Sequence, residues 1–377
     1  MSLRSLATAA GIVAIILAIT ITYVALQRDN VGYSISLRQL GEFRGDSDFS
    51  FSTDGETIFA TTTPPGSNFY NNVAEWGART QVRSGDMVCD NLERDYIPFQ
   101  SGFVTAISAS PDGKIIAVAG PCGNYPEGYT GGTSIQFWDI KSRELVKTIR
   151  TVHSAHYLEL TYSPDGKVLY ASGTVGANVT STAAGVDVWD IEQSRLITTL
   201  KTGRSGIVTG TTVSPSGETI AVAVESANGF DDGRVMLWNT HGYAPVGLDL
   251  TNVRQIEFHP EGELLVAGGN DSSVRLVDVT SSEVIRTMHV PLLCEHRRID
   301  YLSVSPDGRM IVGSGYNMPA IFWKIDDGSV SNSLPRECTD SNRVESGWGE
   351  VLFSPTGDLF AMRKGLRITV WSIERSS

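Results

Sequence analysis

Short apolar runs recur along this chain at a near-constant interval, each introduced by the same polar turn. Ser110-Pro111-Asp112-Gly113 is the clearest copy. Related turns stand at Ser163-Pro164-Asp165-Gly166, Ser214-Pro215-Ser216-Gly217, His259-Pro260-Glu261-Gly262, Ser305-Pro306-Asp307-Gly308 and Ser354-Pro355-Thr356-Gly357, with a degenerate first copy at Ser52-Thr53-Asp54-Gly55. Successive glycines are 58, 53, 51, 45, 46 and 49 residues apart. Proline at the second turn position presets φ, and glycine at the fourth accepts a positive φ. Self-similarity at this period marks a repeat architecture.

The second repeat shows what one unit contains. Residues 103–108 read as a strand, the turn follows, and residues 114–119 form a nearly continuous apolar run. A Gly-rich loop at 121–132 leads to a third strand at 134–140, a turn at 141–144 and a fourth strand at 145–149. Four strands joined by short turns predict an antiparallel meander. The same order can be read in the other repeats; residues 73–77 are the candidate third strand of the irregular first one. The last repeat ends shortly after its third strand at 368–372, while residues 33–40 alternate like a strand with no repeat of their own. The economical expectation is that one completes the other, leaving no open sheet edge. The predicted fold is therefore all-β, a seven-bladed β-propeller over residues 33–377, with 33–40 closing the last blade.

Third strands end in Trp138-Asp139 and Trp189-Asp190, and others carry Trp76, Trp238, Trp323 and Trp371. With the Ser-Pro-Asp-Gly turns and the tight turn at residues 269–278, this pattern resembles WD-repeat propellers. The Gly-His dipeptide expected before first strands is absent, and repeats four to seven replace Trp-Asp by Trp-Asn, Val-Asp, Trp-Lys and Trp-Ser. The polar network that ties turn to strand in that family is thus expected to be incomplete, and quinoprotein-like or lactonase-like propellers are alternative relatives. The fixed phase of the tryptophans predicts packing between blades.

One apolar run is not periodic. Residues 6–26 carry no charge and are long enough, as a helix, to span roughly 30 Å of hydrocarbon. The reading is a tail at 1–5, a transmembrane anchor at 6–26 and a linker at 27–32. The expected protein is single-pass, in contact with the lipid bilayer through this helix, with the propeller on the extracytoplasmic side. Arg4 sets that orientation weakly.

Composition then narrows the partners. The net charge of −12 argues against nucleic acid, which needs a basic stripe, and against anionic membrane surfaces. No dinucleotide fingerprint, phosphate loop, nucleophile elbow or zinc-protease motif occurs, so no cofactor is expected. Cys89, Cys122, Cys294 and Cys338 show no zinc spacing. Their positions in the meanders suggest pairs 89–122 and 294–338; four reduced thiols is the alternative. His153, His156, His241, His259, His289 and His296 are too dispersed to predict a metal site. Phe230-Asp231-Asp232-Gly233 offers carboxylates but lacks a calcium-loop pattern. Arg204, Glu225, Arg254 and Arg298 are the residues a propeller enzyme would draw on.

The connections between second and third strands are long in repeats one to four and short in five to seven. Such loops are common carriers of function, and Tyr gives contact area at low entropy cost. The expected binding surface lies around Phe69, Tyr70, Tyr125, Tyr129, Phe230, Asp231 and Asp232. The function read from these features is a non-catalytic scaffold or accessory subunit that presents this face to another protein or membrane complex. The alternatives are a lactonase-like hydrolase or quinoprotein-like oxidoreductase, which would show a deep polar channel of Glu, Arg and His, and a glycan-binding or wall-binding module.

Overall fold

The structure is a computed structural model that describes residues 34–63, 72–88, 104–120, 133–151, 156–174, 183–226, 233–248, 250–290, 298–315, 318–334 and 349–376. The described residues form only strands and turns. Sheet 1 holds Phe49–Phe51, Thr57–Thr62, Asn72–Gly77 and Arg83–Val88, and sheet 2 holds Ala106–Ala109, Ile115–Gly120, Ser134–Asp139 and Leu145–Arg150. Sheets 5 and 6 run Val253–Phe258 to Glu283–His289 and Tyr301–Val304 to Val330–Ser333 in the same four-strand order. Between them lies one seven-stranded sheet, which reads as two four-stranded halves, sheets 3 and 4, sharing the strand Arg195–Val213. Its first part pairs with Ala183–Asp190 and its second with Thr219–Ser226. The chain turns this corner without breaking the strand because Gly203 and Gly206 take φ of 69° and 155°.

The seventh sheet is built from both ends of the described chain. Ser34–Arg44 pairs antiparallel with Arg367–Ser376, outermost in a sheet completed by Leu359–Lys364 and Val351–Phe353. A bulge between Gln39 and Gly41 lets the strand run on to Arg44, farther than its alternation suggests. Sheet 4 has the shortest outer strand, Pro245–Val246, since Pro245 has no N–H to extend the ladder.

Seven apolar clusters hold the sheets together, and each is shared by two consecutive ones. Ile116 and Val118 face sheet 1 while Ala117 and Ala119 face sheet 3, which is why the second strand of a repeat reads as a continuous apolar run. The cluster of Phe43, Phe49, Ile58, Leu359 and Ile368 joins sheet 1 to sheet 7, so the series of contacts returns to its start. The turns repeat the circuit. Gly166, Gly217, Gly262 and Gly357 each lie against the proline of the preceding turn, and Gly55 lies against Thr356 of the last. These features are of propeller type.

Each tryptophan or its equivalent packs toward the preceding sheet. Trp189 stands between sheets 2 and 3, Trp238 between 3 and 4, Trp323 between 5 and 6, and Trp371 between 6 and 7. Trp138 and Trp76, half-buried, pack at the first-second and seventh-first junctions. The aspartates after them cap the next turn: Asp139 Oδ1 accepts from Ser142 N at 2.7 Å and Asp190 Oδ1 from Gln193 N at 2.8 Å.

One expectation is corrected here. Among the described residues no helix is long and apolar enough to cross a membrane, and the fold is all-β, so the expected single-pass membrane placement is not upheld. The run at 6–26 that suggested it lies outside the described residues.

Candidate functional site

The first strand of every sheet lines one central channel, a cavity of about 480 Å³ reached by residues of all seven sheets. Of the residues two and four before each turn serine (His259 in repeat five), Asp48, Ser50, Ser108, Glu159, Thr212, Gln255, Glu257, Tyr301, Glu350 and Leu352 line the channel, whereas Ala106 packs between sheets 2 and 3. At four before stand Asp48, Ala106, Glu159, Gly210, Gln255, Tyr301 and Glu350. At two before, hydroxyl side chains dominate (Ser50, Ser108, Thr161, Thr212, Ser303), with Glu257 and Leu352 the departures.

These side chains bond across the junctions. Ile107 N of sheet 2 donates to Asp48 Oδ2 of sheet 1 at 2.7 Å. Phe258 N donates to Thr212 Oγ1 at 3.3 Å, Val304 N to Glu257 Oε2 at 2.9 Å, and Phe353 N to Ser303 Oγ at 3.3 Å. In these three bonds the residue two before one turn receives the N–H just before the next turn. Glu159 bonds to Thr211 of sheet 4, and Glu350 of sheet 7 bonds to Asp48. A belt of polar links thus crosses six of the seven junctions from inside.

The carboxyls sit half-buried, enclosed by sheets on every side. Burial pushes Glu159 up to about 8, against the pull of the Thr211 bond, with the negative charge of Asp48 adding to the rise. Burial likewise pushes Glu257 up to about 8, opposed by the Val304 N–H. Glu350 is pushed well up by burial and then by the Asp48 charge, although Arg363 Nε donates to Glu350 Oε2 at 3.1 Å. Burial raises Asp48 too, against its bonds to Glu350 and the backbone.

Beside the belt lies an ionic chain. Arg254, which lines the channel, bonds Glu225 of sheet 4 and meets Asp300 at 2.7 Å, and Arg298 meets the same Asp300 oxygen at 2.8 Å. Three residues singled out from the sequence are therefore brought together, with Asp300 as the bridge that sequence reasoning missed. Arg204 lies apart in the bend of Arg195–Val213 and does not line the channel. The channel is lined about equally by polar and apolar groups and carries Glu and Arg. Its acids are engaged in holding neighbouring sheets, and none of the described histidines lines it. His259 replaces the turn serine, its Nδ1 accepting from Glu261 N at 3.2 Å and its Nε2 lying 2.9 Å from Gly308 O. Among the described residues no group of three or more His, Cys, Asp or Glu could hold a metal ion.

The expected binding residues Phe69, Tyr70, Tyr125, Tyr129, Phe230, Asp231 and Asp232, and all four cysteines, lie outside the described residues. The belt itself left a signal in the sequence. Glu159 and Glu257 are carboxylates inside otherwise alternating strands, a costly placement unless each acid has a partner.

Comparison with known proteins points the same way as the fold. The family model described as the anaphase-promoting complex subunit 4 WD40 domain matches residues 235–293, the end of sheet 4 and all of sheet 5. The apoptotic protease-activating factor 1 of Danio rerio is 28% identical over 198 residues, covering 49% of this chain. The chain spans only 15% of that relative's length. Both matches make part of this chain similar to WD40-containing proteins, in keeping with the propeller-type sheets.

Proposed function

We propose that the chain is a closed seven-bladed propeller, residues 33–377, that serves as a non-catalytic platform for another protein. The observation that carries this reading is the belt: the channel's carboxyls bond from sheet to sheet and so act as internal ties. Each of these acids is committed to a bond with a neighbouring sheet, which gives it a structural task. That directs binding to the outer faces. The face of the long second-to-third strand connections is the proposed one, with Phe69, Tyr70, Tyr125, Tyr129, Phe230, Asp231 and Asp232 as its contacts. Its aromatic and Asn-rich and Gly-rich composition suits protein recognition.

The test is affinity capture with the purified chain, alongside a variant carrying Tyr125→Ala, Tyr129→Ala and Phe230→Ala. The expected result is a stoichiometric protein companion that the variant loses while its melting temperature stays unchanged. Capture of the same companion by both proteins would remove this face from consideration. Recovery of no companion at all would overturn the platform reading.

A further inference from the structure

Six of the seven turns between first and second strands open on serine, and the fifth opens on His259. The exchange changes what the turn can hold. In repeat two, Ser110 Oγ serves the carboxylate of Asp112 and the amide of Ile115, both within its own repeat. The imidazole of His259 reaches further, with one nitrogen on its own turn and the other on turn six. It is packed tightly there. The residue is 5% exposed, and a Cβ added to Gly308 would overlap the ring.

These bonds fix where the ring proton sits. A backbone amide can only donate, so Nδ1, which lies 3.2 Å from Glu261 N, is bare. The proton is then on Nε2, which donates to Gly308 O at 2.9 Å. Both nitrogens are used, and the two turns are built around this one neutral tautomer. An imidazolium has two donors and no acceptor. Its Nε2–H can keep Gly308 O, but its Nδ1–H faces the Glu261 N–H, donor against donor.

One anion is in place to receive that second N–H. Glu261 Oε2 lies 4.0 Å from Nδ1, on a side chain that is 80% exposed and so has room to move in. The same turn carries Glu263, while Glu257 on the strand before it is held in the channel by Val304 N. Turn six brings Asp307 and Arg309, with Arg375 of sheet 7 at 3.4 Å from Asp307. Turn four, whose Pro215 lies against Gly262, brings Glu218. Among the described ion pairs, the one with Glu261 is the one that reaches the ring.

We propose that His259 is a pH-sensitive latch between turns five and six. Uptake of a proton from solvent at Nδ1 releases the Glu261 amide and draws the Glu261 carboxylate onto the ring, while Nε2 stays on Gly308 O. Turn five changes shape around Glu261, and turn six, packed on the ring, follows. The latch lies at the turn end of the strands, away from the long connections, and stands whether or not those connections bind a partner.

The test is proton–nitrogen NMR on the full chain, following the His259 ring and the Glu261 and Gly308 amides from about pH 8 to about pH 5, the span in which imidazoles change charge. The ring should titrate within that span. The Glu261 amide should move upfield with the same midpoint and lose about tenfold in protection from exchange, as expected for one hydrogen bond. In His259→Asn the side-chain oxygen still accepts from Glu261 N, as in an Asx turn, and takes no proton, so the amide should show no such step. His259→Ser, which restores the residue of the other six turns, should show none either. A ring that stays neutral down to about pH 5, a Glu261 amide that ignores the ring's titration, or the same step in either variant would each overturn the latch.

Discussion

The Ser-Pro-Asp-Gly turn works because each atom in it has a task. Ser110 Oγ donates to Asp112 Oδ1 at 2.7 Å and accepts from Ile115 N at 3.0 Å, while Asp112 Oδ1 also accepts from Lys114 N at 3.1 Å. Gly113 N closes the turn on Ser110 O at 2.9 Å with φ of 70°. The glycine is required twice, by that φ and by its neighbour in the preceding repeat. An added Cβ at Gly166 would meet only Pro111 Cδ at 3.7 Å, an ordinary contact, whereas at Gly113 it would overlap Thr53 Oγ1. Gly166→Ala should therefore cost about 1–2 kcal/mol from backbone conformation alone, and Gly113→Ala distinctly more. Urea denaturation of the two variants checks this; equal losses would mean that the packing of turn on turn contributes nothing. The turns were fully legible in the sequence, since their chemistry is local. The acid of each Trp-Asp pair was legible as a residue type, but its role as a cap on the following turn needed the coordinates.

For single strands, most of the information is in period and length. The second strands announced themselves as apolar runs because both faces are covered. The belt was only half visible: a carboxylate in a strand signals a partner somewhere, yet the partner is an N–H or hydroxyl about fifty residues away. Its chemistry gives a pH dependence. An unfolded glutamate titrates near 4.5, and folding moves Glu159 and Glu257 to about 8. Between those values the folded chain keeps protons that the unfolded chain has released, so stability falls as pH rises through this window. Glu159→Gln with Glu257→Gln keeps the acceptor oxygens and removes the charge. Denaturation midpoints from about pH 5 to about pH 9 should decline in the parent and decline less in the double variant. Parallel profiles would show that these acids do not titrate as their enclosure requires.

On the scale of the whole molecule, the proposed ring closure would rest on the pairing of Ser34–Arg44 with Arg367–Ser376 and on the apolar cluster between sheets 7 and 1. Deleting 34–44 leaves Ile368 and Val370 exposed on an open edge and takes Phe43 from the cluster. That variant should lose cooperative unfolding. A permutant in which residues 34–44 follow residue 376 through a short Gly-rich linker restores the same pairing from the other side, and should recover it. Calorimetry of both proteins decides the matter; a deletion that melts like the parent would remove this strand from the closure.

Repeat number, strand order and the positions of the turns follow from local rules, because a turn's hydrogen bonds and a strand's alternation involve residues only a few positions apart. The apolar run at 6–26 shows the limit of that reasoning: length and hydropathy describe what a segment could do, and the described fold holds no membrane-crossing helix to match it. Which polar residues meet is a different kind of fact. Asp48 with Glu350 and Arg254 with Asp300 depend on how neighbouring sheets are packed. Contacts between residues 46 to 302 positions apart are set by packing of the assembled sheets, and no local pattern encodes them.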